Sequence, residues 1–266
     1  MVPNYLQIRG IARSFGIKVK ELPLREELGW QWDMKELESM ISSKTKMIGV
    51  CNPNNPTGSI VSKENMGTII DIASKNNCWI LSDEVYRGAE LNGIESSSFY
   101  GNYEKTIVNA GLSKAYRLPG LRVGWTVGPK DYIKKAWAFH DYTSISIAYH
   151  SDWVASRILD TKRRKQILDG TKQHLNQNMN TLAEWIDTCD GKLSLSPPQA
   201  GAIAFVRIKM DIPSQELTYH IRDNCSVLLT AGKWFGLEGF LRFGYGPPNG
   251  YFIEALDRIG QSLEAI

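Results

Sequence analysis

Three short apolar runs frame the chain: Met47-Ile48-Gly49-Val50-Cys51, Trp79-Ile80-Leu81 and Thr106-Ile107-Val108. Each breaks off into polar or glycine-containing sequence, the pattern of strands buried on both faces. Between the first two, Met66, Ile69, Ile70 and Ala73 recur at helical spacing within Glu64 to Asn77, and Ser62 is placed to cap that helix. Strand, helix and strand make a βαβ unit, so a mostly parallel sheet is predicted. Ahead of it, Ile17 to Leu22 alternates like a strand, and Asp33 with Glu36 has capping-box spacing for a helix through Ile41.

Beyond the runs, Val123 to Val127 reads as a strand ending at Gly128-Pro129, and Asp131 to Tyr142 as a helix. Thr143 to Tyr149, rich in small and β-branched residues, marks a change of domain. Two helical patterns then run from Ser151 to about Ile186 with a break near Gly170, and Gly191 to Pro198 is a turn-rich link. Ala202 to Lys209, Ser226 to Thr230 and Leu241 to Gly244 read as strands, with a short helix at Gln215 to Arg222. A last helix starts at about Tyr251, with Ile253, Leu256, Ile259 and Leu263 on one side. The expected fold class is α/β: a large domain over residues 1–150 with a mostly parallel sheet, and a smaller C-terminal α/β domain over residues 151–266.

In open parallel sheets ligands bind beyond the carboxyl ends of strands, so Asn55, Asp83 with Tyr86, and Lys114 are expected to share one crevice. A lysine just past a buried strand, with Arg122 held nearby, suggests an amine kept for covalent chemistry on an anionic cofactor. Singly, each residue has a plainer reading. Lys114 reads as a surface lysine, Asp83 as a turn cap, Asn55 before Pro56 as an ordinary turn and Tyr86 as packing. Arg122 and Arg242 read as solvated cations, and Tyr5 as a frayed terminus.

Together they carry a resemblance. The segments Asn52-Pro53-Asn54-Asn55-Pro56-Thr57-Gly58, Ser82-Asp83-Glu84-Val85-Tyr86, Ser113-Lys114, Gly120-Leu121-Arg122-Val123-Gly124 and Leu241-Arg242-Phe243 follow one another in family order. In this the chain resembles the class I/II aminotransferases that depend on pyridoxal 5'-phosphate, the fold-type I group, from Pro3 to its C-terminus. The resemblance implies that Lys114 forms a Schiff base with the cofactor aldehyde and then carries a proton as a free amine. It places Asp83 on the pyridine nitrogen, Asn55 and Tyr86 on the phenolate oxygen, Arg122 on the phosphate and Tyr5 against the ring. Arg242, with Asn55, takes the substrate carboxylate, so amino acids and 2-oxo acids are the expected substrates. The family's phosphate-binding serine or threonine, three positions before the lysine, is here Gly111, and Ser113 is the hydroxyl left to serve the phosphate.

The family also carries a usual N-terminal segment that this chain lacks ahead of Pro3. Weak cofactor binding and poor turnover by the chain alone are expected on that account. A homodimer is implied too. Two alternatives keep the same motifs: a lyase or decarboxylase of the same fold using the same cofactor, and an N-terminally truncated, non-catalytic form.

Composition narrows the remaining classes. The chain is 42% hydrophobic and 22% charged, ordinary for a globular protein, and its net charge of +3 is small. Its densest basic cluster, Lys162-Arg163-Arg164-Lys165, reads as a solvated helix face, so no nucleic-acid partner is expected. Cys51, Cys78, Cys189 and Cys225 are widely spaced, and His140, His150, His174 and His220 lack metal-ligand spacing, so no metal site is expected. Buried, reduced thiols suit a cytoplasmic enzyme. No apolar stretch is long enough to span a membrane.

Overall fold

The computed structural model describes residues 1–264. In chain order its elements are α1 (Gln7–Ser14), α2 (Met34–Met40), β1 (Met47–Cys51), α3 (Lys63–Lys75), β2 (Trp79–Asp83), β3 (Thr106–Gly111), β4 (Gly124–Val127), α4 (Lys130–His140), α5 (Tyr149–Ile158), α6 (Thr161–Asp187), β5 (Leu193–Leu195), β6 (Ile203–Ile208), α7 (Ser214–Cys225), β7 (Thr230–Ala231), β8 (Phe240–Gly244) and α8 (Asn249–Glu264). Two compact units divide them. One comprises Met1–Trp30, Asn54–Ser59 and Gln173–Ile266, the other Gln31–Pro53 and Ile60–Lys172. The later boundary lies inside α6, which runs through it unbroken, and not near residue 150.

In the second unit, β1, β2 and β3 are parallel and β4 joins β3 antiparallel, in the order β1-β2-β3-β4. The predicted caps are in place. Asp33 accepts from the backbone N–H groups of Lys35 and Glu36, and the Ser62 hydroxyl from that of Asn65, each meeting donors that a first turn leaves without intrahelical partners. Met66, Ile69, Ile72 and Ala73 form the buried stripe of α3. Burial on both faces does not hold for β2, in which Ile80 and Ser82 are buried while Trp79, Leu81 and Asp83 are half-exposed. Two carboxylates are buried in the loop after β2, and donors from the chain itself make that tolerable. Glu84 accepts from Ser82 Oγ and Phe99 N, and Glu90 from the N–H groups of Gly88 and Ser96 and from Ser96 Oγ.

The first unit holds an antiparallel sheet in the order β5-β6-β8-β7. Its core is aromatic: Phe205 stacks on Phe240 at 4.6 Å between centroids, and Trp30 meets both rings edge-on at 5.9 and 5.5 Å. Phe205 is 1% exposed and packs against the rings of Trp30, Phe235 and Phe240, so Phe205→Ala is expected to cost about 3–5 kcal/mol of unfolding free energy in a denaturant titration. Tyr245, fully buried, donates its hydroxyl to the Gly201 carbonyl at 2.5 Å.

Several expectations need correction. Ile17 to Leu22 is not a strand; its neighbourhood contributes only the isolated bridge between Val2 and Pro23. The helix break falls at residues 159–160, and Gly170 lies inside α6, since a helix this long absorbs the roughly 1 kcal/mol that glycine costs it. The strand expected from Ser226 shrinks to Thr230–Ala231, because Ser226 takes a left-handed conformation that ends α7. In α8, Phe252 rather than Ile253 joins Leu256, Ile259 and Leu263 in the buried stripe, and Ile253 is 40% exposed. No helix among the described residues is long and apolar enough to cross a membrane.

Candidate active site

In the second unit the predicted residues gather beyond the carboxyl ends of β2 and β3, as a parallel pair requires. Asp83 is the last residue of β2 and lies opposite Asn109. Its Oδ1 accepts from Val85 N at 3.2 Å, an Asx-type turn that sends the chain toward the buried Tyr86. Burial pushes the Asp83 carboxyl above the usual carboxylate range, opposed by the Val85 N–H and by the Lys114 charge. Lys114 Nζ lies 5.9 Å from the Tyr86 ring centroid.

Lys114 reaches that position because its neighbours are pinned. Leu112 and Ala115 are fully buried on either side of the exposed Ser113-Lys114 step, Ser113 being half-exposed. The loop closes on itself through Leu112 N to Val123 O at 3.1 Å, Leu118 N to Leu112 O at 3.0 Å and Arg117 N to Lys114 O at 2.9 Å. Arg122 ends the loop in a left-handed conformation at φ 56°, exposed, with Nη1 donating to Pro119 O at 2.9 Å.

Gly111 has a steric reason of its own. It pairs with Gly124 across β3 and β4, and a Cβ on Gly111 would lie 3.0 Å from Val123 O and 3.1 Å from Gly124 Cα. A hydroxyl side chain there requires the two strands to give by a few tenths of an ångström.

In the first unit Tyr5, Asn55 and Arg242 are gathered by separate segments. Asn54 Nδ2 donates to Thr57 Oγ1 at 2.9 Å and to Pro3 O at 3.3 Å, fixing the loop that bears Asn55 against the segment that bears Tyr5. Gly58 closes the loop at φ 67°; a Cβ on it would stand 2.4 Å from Pro198 Cβ, so only glycine fits. Asn4 N donates to Phe235 O at 3.3 Å and accepts at Oδ1 from Tyr5 N at 2.7 Å, leaving the Tyr5 ring exposed. Arg242, on β8, donates from Nη1 to Asn55 Oδ1 at 3.3 Å and from Nη2 to Thr230 Oγ1 at 3.2 Å, with its Cζ 5.0 Å over the Phe235 ring.

The structure therefore brings Asp83, Tyr86, Ser113, Lys114 and Arg122 together in one unit and Tyr5, Asn55 and Arg242 in the other. Thr230 and Phe235, which hold Arg242, were not anticipated. Thr230 is placed by the pairing of β7 with β8 and Phe235 by the helical turn that follows β7, and no local pattern reveals either.

An amine, a carboxyl whose pKa burial raises, a phenol and a guanidinium are thus carried by the ends of β2 and β3 and the loops that follow them. The model of the family "Aminotransferase class I and II" matches residues 1–259, and the chain belongs to that family. It is 25% identical to a capreomycidine synthase of Streptomyces vinaceus over 98% of this chain and 67% of that protein. With an aromatic-amino-acid aminotransferase of Thermococcus litoralis it shares 28% identity over 94% of this chain and 65% of the other. A crystal structure of a pyridoxal-phosphate-dependent aminotransferase from Streptococcus suis superposes with a TM-score of 0.92 at 31% identity, covering 99% of this chain and 69% of that one. The chain thus spans about two thirds of the length of the proteins it matches, and its fold is the fold-type I arrangement, α/β with a mostly parallel sheet. Pyridoxal 5'-phosphate is the cofactor this membership implies. The Lys114 amine beside the Tyr86 ring and the Asp83 carboxyl at the end of β2 are groups whose chemistry suits it.

Proposed function

We propose that this chain serves an aminotransferase reaction in which pyridoxal phosphate mediates movement of an amino group between an amino acid and a 2-oxo acid. The observation that carries the reading is the Lys114 amine beside the Tyr86 ring, with the raised carboxyl of Asp83 at the end of the adjoining strand. When bound, the cofactor supplies an aldehyde for the amine and an electron sink for the carbanion at the substrate Cα.

The protein's own residues do the rest. Lys114 Nζ binds the aldehyde and afterwards moves the proton to and from the substrate Cα. Asp83 holds a proton on the ring nitrogen, and Tyr86 with Asn55 donates to the ring oxygen. Arg122 and Ser113 take the phosphate, where a guanidinium offers paired donors. Tyr5 supplies a flat face for the ring. Arg242 grips the substrate carboxylate and makes α-amino acids the substrate class. A homodimer in the cytoplasm is the setting we assign. The exposed Trp137, Phe139, Tyr142, Ile145, Tyr149 and Trp153 and the four buried free cysteines support it.

The test is visible absorbance and peptide mapping on one sample. A band that borohydride removes, with the cofactor label mapped to Lys114, is the expected result. No band at saturating cofactor overturns the reading in favour of a non-catalytic form. The Streptomyces relative is named a synthase and not an aminotransferase, which favours one second reading: the same cofactor and lysine serving a reaction other than transamination. Product analysis with and without an added 2-oxo acid separates the two.

Asp83 links stability to this function. Its folded carboxyl holds a proton more tightly than an unfolded one, so stability is fully present below the ordinary value of 3.8 and falls as pH rises through the raised value. Asp83→Asn removes the ionisation and keeps an acceptor for Val85 N. The cofactor-free variant is expected to melt above the parent at pH 7.5, the gap narrowing as pH falls toward 3.8, while transamination is lost. Thermal melts across pH on both proteins check this.

A further inference from the structure

Of the basic run Lys162-Arg163-Arg164-Lys165 at the start of α6, three side chains are exposed and Arg164 is half-buried. Its Nε donates to the Tyr116 hydroxyl at 3.0 Å and its Nη1 to Glu95 Oε1 at 2.6 Å. The second oxygen of Glu95 faces Arg87, whose Nη2 lies 3.4 Å from Oε2 and whose Nε donates to Ser96 O at 2.8 Å. One turn further along α6, Leu168 reaches the same place: a Cβ on Gly88 would meet Leu168 Cδ2 at 3.2 Å and Ala115 Cβ at 3.4 Å. Ala115 and Tyr116 directly follow Lys114, and Arg87 and Gly88 directly follow Tyr86. One face of α6 therefore rests on both loops, the one that carries the amine and the one that carries the phenol.

We propose that Arg164 is a positioning residue for Lys114, the line of contacts from Arg87 through Glu95 and Arg164 to Tyr116 fixing the amine's loop against the loop of Tyr86. This rests on the aminotransferase reading above. The hydrogen bond from Arg164 holds the Glu95 carboxyl below the usual carboxylate range, so the bridge is ionised at neutral pH. Lys114 is itself exposed, and where its amine stands follows from where its backbone is held. A misplacement of about 1 Å can cost about a hundredfold in rate, whereas a partly exposed ion pair adds little to global stability. The effect is expected on the chemistry of the amine and not on melting.

The experiment compares the full chain carrying Arg164→Gln, Arg164→Lys or Tyr116→Phe with the parent. Starting from cofactor-free protein, the rate at which pyridoxal phosphate becomes borohydride-fixed at Lys114 is followed against cofactor concentration. Amide hydrogen exchange is followed without cofactor. Tyr116→Phe loses one hydrogen bond and should slow labelling at saturation about three- to tenfold, and Arg164→Gln, which loses both, about tenfold or more. The half-saturating cofactor concentration stays parental, since Asp83 and Arg122 are untouched. Exchange quickens in residues 84–89 and 112–118 and stays parental in α3. Arg164→Lys keeps a charge beside Glu95 without the planar fork, so it recovers only part of the rate. Should Arg164→Gln not fold, Tyr116→Phe, which keeps the buried ring, decides in the same way. Exchange that quickens evenly along the chain overturns the inference, because it marks a merely structural role. Label at Lys114 formed at the parental rate in the variants removes this inference alone, and absence of label from the parent's Lys114 removes the aminotransferase reading and this inference with it.

Discussion

Lys114→Ala is expected to abolish the borohydride-fixed label and to lower transamination by at least about 10²–10⁴-fold, the range attributable to a positioned proton-transfer group alone. Loss of the covalent attachment adds to that. The side chain is exposed, and the buried anchors Leu112 and Ala115 are untouched, so stability should stay within about 0.5 kcal/mol of the parent. That separation makes the experiment decisive. A folded variant with the parental melting temperature, no label and no turnover assigns the chemistry to the amine. Retained turnover with parental stability would transfer the role to another nucleophile, and retained label would place the attachment elsewhere. Kinetics, melting and peptide mapping on the same preparation deliver all three readings.

How much of this was readable beforehand follows from which interactions are local. The strands that lead to Asp83 and Lys114 stand out because continuous apolar runs ending in polar residues have few other uses. The helix caps at Asp33 and Ser62 were readable for the same reason: a short side chain bonds a backbone N–H two or three residues ahead, and spacing alone reveals it. Residues 17–22 alternate as a strand should, but a strand exists only where another backbone pairs with it, and no sequence window contains that partner. The division into compact units was not legible for the same reason. Trp30 belongs with the C-terminal sheet because it packs on Phe205 and Phe240, residues far along the chain that no nearby pattern connects to it. Within the site, the groups of the resemblance were readable as chemistry, while Thr230 became visible only through its register with Arg242 and Phe235 only through the packing of its ring against the guanidinium. Gly111 was readable as a departure from the family and not as a tight spot, which depends on the approach of Gly124 and the Val123 carbonyl.

Arg242→Ala is expected to weaken amino-acid binding far more than cofactor binding. Removing the charged partner of a bound carboxylate costs about 2–5 kcal/mol, so the half-saturating substrate concentration should rise by roughly thirtyfold or more. The truncation removes hydrogen bonds to two neutral groups, the Thr230 hydroxyl and the Asn55 amide oxygen, and the contact with the Phe235 face. The fold should therefore survive, and the groups proposed to hold the cofactor at Asp83, Tyr86, Lys114 and Arg122 are unaltered. Arg242→Lys supplies the control: it restores the charge without the planar fork, so it should recover only part of the affinity. Titrating L-aspartate and L-phenylalanine against visible absorbance, alongside a separate cofactor titration, reads both constants. Equal loss of substrate and cofactor affinity would make Arg242 a structural residue and not the carboxylate grip. A substrate-only loss that lysine fails to repair fully would identify the guanidinium geometry, beyond its charge, as what confines the reaction to α-amino acids.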